Sequence, residues 1–174
     1  MPIIPLWPPT RYSENDMQKD KLFAKIGELT VQFATLEHQL QALLELLIAE
    51  NSQVIGPFLI HELNLSVLLR KIKHIARYRL QGDASLLDLL EGTLKRIEAT
   101  RDLRNLLIHG NWQIDEGCTA CPVRVRDFKM RYEEGQWQDL TETTFNEKKL
   151  THLTRRLQGM SHDVQHLSLR LQHA

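Results

Sequence analysis

The chain has 174 residues, 42% of them apolar and 25% charged, enough for one buried core, short for two, and unlike a disordered or membrane chain. Lys plus Arg and Asp plus Glu both total 22, so no overall field draws the molecule to nucleic acid or to an anionic membrane, and any such site must be a local patch. The start lacks the basic and apolar regions of a secretory leader, no apolar run reaches membrane-spanning length, and two cysteines are too few for a disulfide scaffold. A cytoplasmic location without a membrane partner is the expectation.

Residues 1–12 read as a proline-rich arm, because Pro2, Pro5, Pro8 and Pro9 favour an extended conformation. Residues 13–174 read as a single helical domain. Ser13, Asn15 and Asp16 are capping candidates for a first helix. In it Leu22, Ile26, Leu29, Phe33, Leu36, Leu40, Leu43 and Leu47 recur at alternating fours and threes, which puts them on one seam. Glu50-Asn51-Ser52 and Gly56-Pro57 interrupt the pattern, and a short helix or turn is expected over residues 53–63.

A second helix, about Asn64 to Leu80, carries Leu65, Leu68, Leu69, Ile72, Ile75 and Ala76 inward and Arg70, Lys71, Lys73, Arg77 and Arg79 largely outward. Gln81-Gly82-Asp83 ends it. The third is expected to run unbroken from about Ala84 to His109, with Gly110 as a left-handed cap residue.

After Gly110 the period changes to two. Val123 to Arg126 and Phe128 to Tyr132 alternate as strands do, with a phase slip at Arg126-Asp127 that reads as a bulge. Glu133-Glu134-Gly135 reads as a hairpin turn into Gln136 to Leu140, and Trp112 to Ile114 as a third short strand. The last helix starts near Asn146 and repeats Leu150, Leu153, Leu157, Met160, Val164, Leu167 and Leu171. The expected fold is mainly α: an up-and-down bundle of about four main helices, with a small antiparallel hairpin or meander at about 111–141 inserted before the last helix.

The end of the third helix stands out. If that helix is continuous, Arg101, Arg104 and Asn105 fall on the line that Leu86, Leu87, Leu90, Leu94 and Ile97 bury upstream. A buried guanidinium needs a carboxylate, a solvated interface or an anionic ligand. A structural ion-pair network with Glu98 or a glutamate of another helix is one reading, and an anion site is the other. His109 is likewise open between bonding the last helical carbonyls and a chemical role.

The order Arg104-Asn105-Leu106-Leu107-Ile108-His109 resembles the Arg-(polar)-x-x-x-His signature of the HEPN superfamily. The resemblance implies a small helical bundle, a homodimer whose two motifs share a cleft, and RNA as substrate, cleaved without a metal or other cofactor. Arg104 and His109 would be the catalytic pair, supported by Arg101 and Asn105, and a toxin of this type would have an antitoxin protein as partner. These residue types suit the chemistry. Imidazole moves protons near neutral pH, and guanidinium binds phosphate bidentately. The toxin branch controlled by a nucleotidyltransferase has a tyrosine two residues after the histidine, whereas Asn111 stands here. The alternative function is a non-catalytic helical module for protein, RNA or nucleotide binding.

Three further groups are candidates. Cys118 and Cys121 have the spacing of half a zinc site, with no second pair in the chain to complete it. His162 and His166 lie one turn apart, which fits either a metal chelate or a solvated face. Arg124, Arg126, Lys129 and Arg131, near Tyr132 and Trp137, could line an RNA backbone or simply face solvent.

Overall fold

The computed structural model describes residues 14–48, 60, 63–113, 123–127, 132–133, 136–137 and 142–172. The helices among them are α1 (Glu14–Ile48), α2 (Leu65–Arg79), α3 (Ala84–Glu98), α4 (Arg101–His109) and α5 (Glu147–Gln172). The strands are β1 (Asn111–Gln113), β2 (Val123–Arg126), β3 (Tyr132–Glu133), β4 (Gln136–Trp137) and β5 (Glu142–Phe145). The protein is thus a helical bundle with a small antiparallel sheet inserted before the last helix. The proline-rich arm and both cysteines lie outside the described residues, as does most of 53–63, where Ile60 is helical and buried.

The α1 seam forms the centre of the core. It packs on α2 and α5, α2 packs on α3, and α3 on α5. Leu40, Leu43 and Leu44 of α1, Ile72 of α2, Leu90 and Ile97 of α3 and Leu150 and Val164 of α5 are completely buried, each contributing about 1.5–3 kcal/mol through apolar area removed from water. Leu22 and Ile26 at the start of the seam, and Leu171 at the end of α5, are only half-buried against that core.

Side-chain caps set several helix starts. Asn64 Oδ1 accepts from Val67 N at 3.1 Å, Asp83 Oδ1 from Leu86 N at 2.9 Å and Asn146 Oδ1 from Lys149 N at 2.8 Å. Asp83 therefore starts α3 as well as following the end of α2, and Asn15 and Asp16 lie inside α1 rather than before it. Between helices, Arg77 Nε and Nη2 bond both oxygens of Glu91 at 2.5 and 3.2 Å. These hydrogen bonds hold the Glu91 carboxyl below the usual carboxylate range.

Residues 84–109 do not form one helix. The chain breaks at Ala99 and Thr100, whose ψ angles of −13° and −8° tighten the turn. Thr100 is buried, and both its N–H and its hydroxyl donate to the Ile97 carbonyl, at 2.9 and 2.7 Å. This local bonding, typical of threonine, competes with the helical ladder, which resumes with Arg104 N donating to Thr100 O. Side chains beyond Thr100 therefore do not continue the buried line of α3.

Gly110 also differs from expectation, with an extended backbone at φ −71° and ψ 157° in place of the left-handed one. Its small size matters for space instead of conformation. A Cβ there would run into the Leu106 carbonyl oxygen and lie 2.5 Å from Val125 Cγ1, because the chain passes directly from α4 into β1 against β2. Gly110→Ala should lower stability by about 1–3 kcal/mol through overpacking. Its thermal midpoint is the measurement, and an unchanged value would mean that this turn has slack.

The sheet order is β1-β2-β5, with β3 and β4 as a separate hairpin that pairs Tyr132 with Trp137. Sequence periodicity missed β5. Its Phe145, opposite Val123, is completely buried, but Glu-Thr-Thr-Phe offers only that one apolar residue to the pattern. β2 ends at Arg126; of the expected strand from Phe128 to Tyr132, residues 128–131 lie outside the described residues and Tyr132 falls in β3.

Candidate functional site

α4 is nine residues long and sharply two-faced. Leu106 and Leu107 are buried and Leu103 is half-buried, while Arg101, Arg104 and Asn105 are half-buried and Ile108 and His109 exposed. The polar residues thus lie away from the core, and the break at Thr100 removes the need for cations on a buried line.

Arg104 is the most engaged of them. Its Nη2 lies 3.1 Å from Glu37 Oε1 on α1 and its Nη1 donates to Asn105 Oδ1 at 3.3 Å. Its Nε is buried without a hydrogen-bond partner among the described residues. The Arg104 and Glu37 side chains are 26% and 28% exposed, so this pair is shielded more than an ordinary surface bridge. Arg101 donates to Ser66 Oγ on α2 at 3.2 Å and to Asp102 Oδ1 at 3.3 Å, with Glu98 at 3.8 Å. Glu37 and Ser66 carry no sequence signal, since only tertiary packing brings α1 and α2 to α4.

His109 has a different environment. Two of the helix-end carbonyls have other donors: Gly110 N reaches Leu106 O at 2.9 Å, and Trp112 Nε1 reaches Leu107 O at 3.1 Å. The imidazole is exposed, with no hydrogen-bond or ion-pair partner among the described residues. Arg104 and His109, five residues apart, point ~140° away from each other around the helix, with Asn105 between them in angle.

Of the basic strand, Arg124 and Arg126 share one face of β2, opposite the buried Val123 and Val125. Arg126 stands across from Asn111, two residues past His109, so the strand does flank the helix end. Its guanidinium, however, is tied to Glu142 at 2.6 Å. Lys129 and Arg131 lie outside the described residues, and the side chains of Tyr132 and Trp137 are likewise not described. His162 and His166 are both exposed on α5, and no group of three metal-ligating side chains occurs among the described residues. No described helix is long and apolar enough to cross a membrane.

Comparison with known proteins finds no matching family model, no matching curated protein and no matching solved structure.

Proposed function

We propose that the chain is a HEPN-like, metal-independent endoribonuclease of the toxin or defence type, acting as a homodimer in the cytoplasm with an antitoxin protein as its counterpart. The observation that carries this reading is His109, exposed and without a hydrogen-bond or ion-pair partner among the described residues, at a helix end where the Leu106 and Leu107 carbonyls are bonded by other donors. A histidine with no structural bond to make is available for proton transfer.

In the proposed reaction the ribose 2′-oxygen attacks the adjacent phosphorus, one His109 takes the 2′-hydroxyl proton, and the 5′-oxygen leaves with a proton from the other copy's imidazole. The products are a 2′,3′-cyclic phosphate and a free 5′-hydroxyl. Arg104, whose side chain is 26% exposed, binds the phosphate oxygens as their charge grows. Asn105, between Arg104 and His109 in angle, orients the guanidinium through the bond that its Oδ1 accepts from Arg104 Nη1. A second copy facing α4 would set its His109 across from Arg104, which one helix alone does not do.

Incubating purified protein with RNA in EDTA tests this. Cleavage with cyclic-phosphate ends is expected, and intact RNA over a wide range of protein concentration would overturn it.

A second reading has its own observation, the shielded contact between Arg104 and Glu37. In it the chain is a non-catalytic helical module, and Arg104 holds α4 to α1. A double-mutant cycle of Arg104→Ala and Glu37→Ala on unfolding free energy should return a coupling of about 1–3 kcal/mol. Strong coupling together with RNA left intact would favour the module, while a coupling near zero would remove its support.

A further inference from the structure

The solvent face of α2 takes no part in the reaction proposed above. From Leu65 to Arg79 this helix has no acidic residue and carries Arg70, Lys71, Lys73, Arg77 and Arg79, within a chain of zero net charge. Leu65, Leu68, Leu69, Ile72 and Ala76 fill its buried side. Ser66, Arg70, Lys73 and Arg77 follow at steps of four, three and four residues and share one outer face, and Lys71, His74 and Tyr78 share the next.

The row is anchored at both ends. Arg101 of α4 donates to Ser66 at 3.2 Å, one turn before Arg70, and Glu91 of α3 engages Arg77 at 2.5 Å and Lys73 at 3.7 Å. Between these anchors Arg70, Lys71 and His74 are exposed and have no hydrogen-bond or ion-pair partner among the described residues. Tyr78, at the far end, is 78% exposed. A ring left that open in a helix of cations makes no contribution to the core.

We propose that this face of α2 is a track for single-stranded RNA, running ~18 Å from the Arg101 end of the candidate site to Tyr78 at 1.5 Å per residue. Arg70, Lys71 and His74 contact successive phosphates, and Tyr78 stacks on a base. The ligand is unpaired because a stacked duplex offers no free base face to Tyr78, and the deep, narrow major groove of an RNA duplex does not admit side chains. It is not a lipid surface, since an interfacial helix inserts its apolar face and that of α2 is buried in the bundle. The choice of RNA over DNA rests on the ribonuclease reading above, whereas the phosphate and base contacts do not.

Binding of a fluorescently labelled, unstructured oligoribonucleotide across a salt series tests the track, using the full chain with His109→Ala so that the probe survives. Adding Arg70→Ala and Lys71→Ala together should reduce the log–log salt slope by about 1.4, at ~0.7 per phosphate contact on a single strand. Adding Tyr78→Ala should weaken binding by about 5–150-fold with the slope unchanged, and Tyr78→Phe should restore it. All three positions are at the surface, so thermal midpoints should stay at the parent value. The track is overturned if the probe does not bind, if these variants bind as the parent does, or if phosphatidylserine vesicles or a polyglutamate peptide bind in place of RNA. Lost binding in the track variants alongside a wild-type chain that never cuts RNA would sink the nuclease reading alone. Intact cutting with unaltered binding would sink the track alone.

Discussion

His109→Ala should reduce RNA cleavage in EDTA by about 10²–10⁴-fold, the usual contribution of a positioned acid–base group, with no comparable change in stability. Both halves follow from one geometry. The imidazole is exposed and bonds nothing among the described residues, so removing it leaves no buried group unsatisfied. The Leu106 and Leu107 carbonyls keep their bonds to Gly110 N and Trp112 Nε1, so the end of α4 stays capped. Cleavage undiminished in the variant would show that another group, or a contaminant, moves the proton. A lowered thermal midpoint would assign His109 a structural part that its surroundings do not indicate. Arg104→Lys is a useful companion, because lysine keeps the charge but loses the bidentate fork, and a large fall in cleavage is expected there as well.

Phe145→Ala should destabilise the protein by about 3–5 kcal/mol, the range for emptying a large aromatic site in a core, and lower its thermal midpoint by roughly 6–20 °C for a chain of this size. Phe145 is completely buried on β5, its ring centroid lies 6.0 Å from that of Trp112, and Lys149 Nζ sits 4.7 Å from the ring centre. Trp112 in turn bonds the last turn of α4. The cavity would therefore reach the end of the helix that carries His109, and residual cleavage should fall in step with stability. Phe145→Leu, which keeps most of the volume, should recover much of both. A midpoint within two or three degrees of the parent would mean that the sheet is an appendage to the bundle rather than part of its core.

The main helices were legible because each advertises a seam. Leucines at threes and fours on α1 and α5, and the split between apolar and basic faces on α2, require only local periodicity to be read, and the residues so marked are buried except Leu22, Ile26, Ile75 and Leu171, which are half-buried. Asn64 and the start of α5 near Asn146 were legible for a similar reason, since a cap acts within three residues. β5 was not, because a four-residue strand with a single buried side chain has no period to detect. Glu37 and Ser66 were not either, because they lie 67 and 35 residues from the arginines they meet.

At Arg104 to Gly110 the two sources divide by physical range. The sequence by itself determined that a polar, basic stretch closes a helix just before a glycine, and that an arginine and a histidine stand five residues apart within it. Tertiary structure alone decided what surrounds them. Thr100, buried and bonded back to Ile97, breaks the helix and turns the arginines off the core line. Gly110 is needed for the room that β2 leaves rather than for its own dihedral angles. Arg104 meets the carboxylate of a distant helix, whereas His109 has no partner among the described residues and a tryptophan from the next strand bonds the Leu107 carbonyl. Helix propensity and periodicity act over a few residues, whereas burial, close approach and ion pairing depend on which distant segments share the same space.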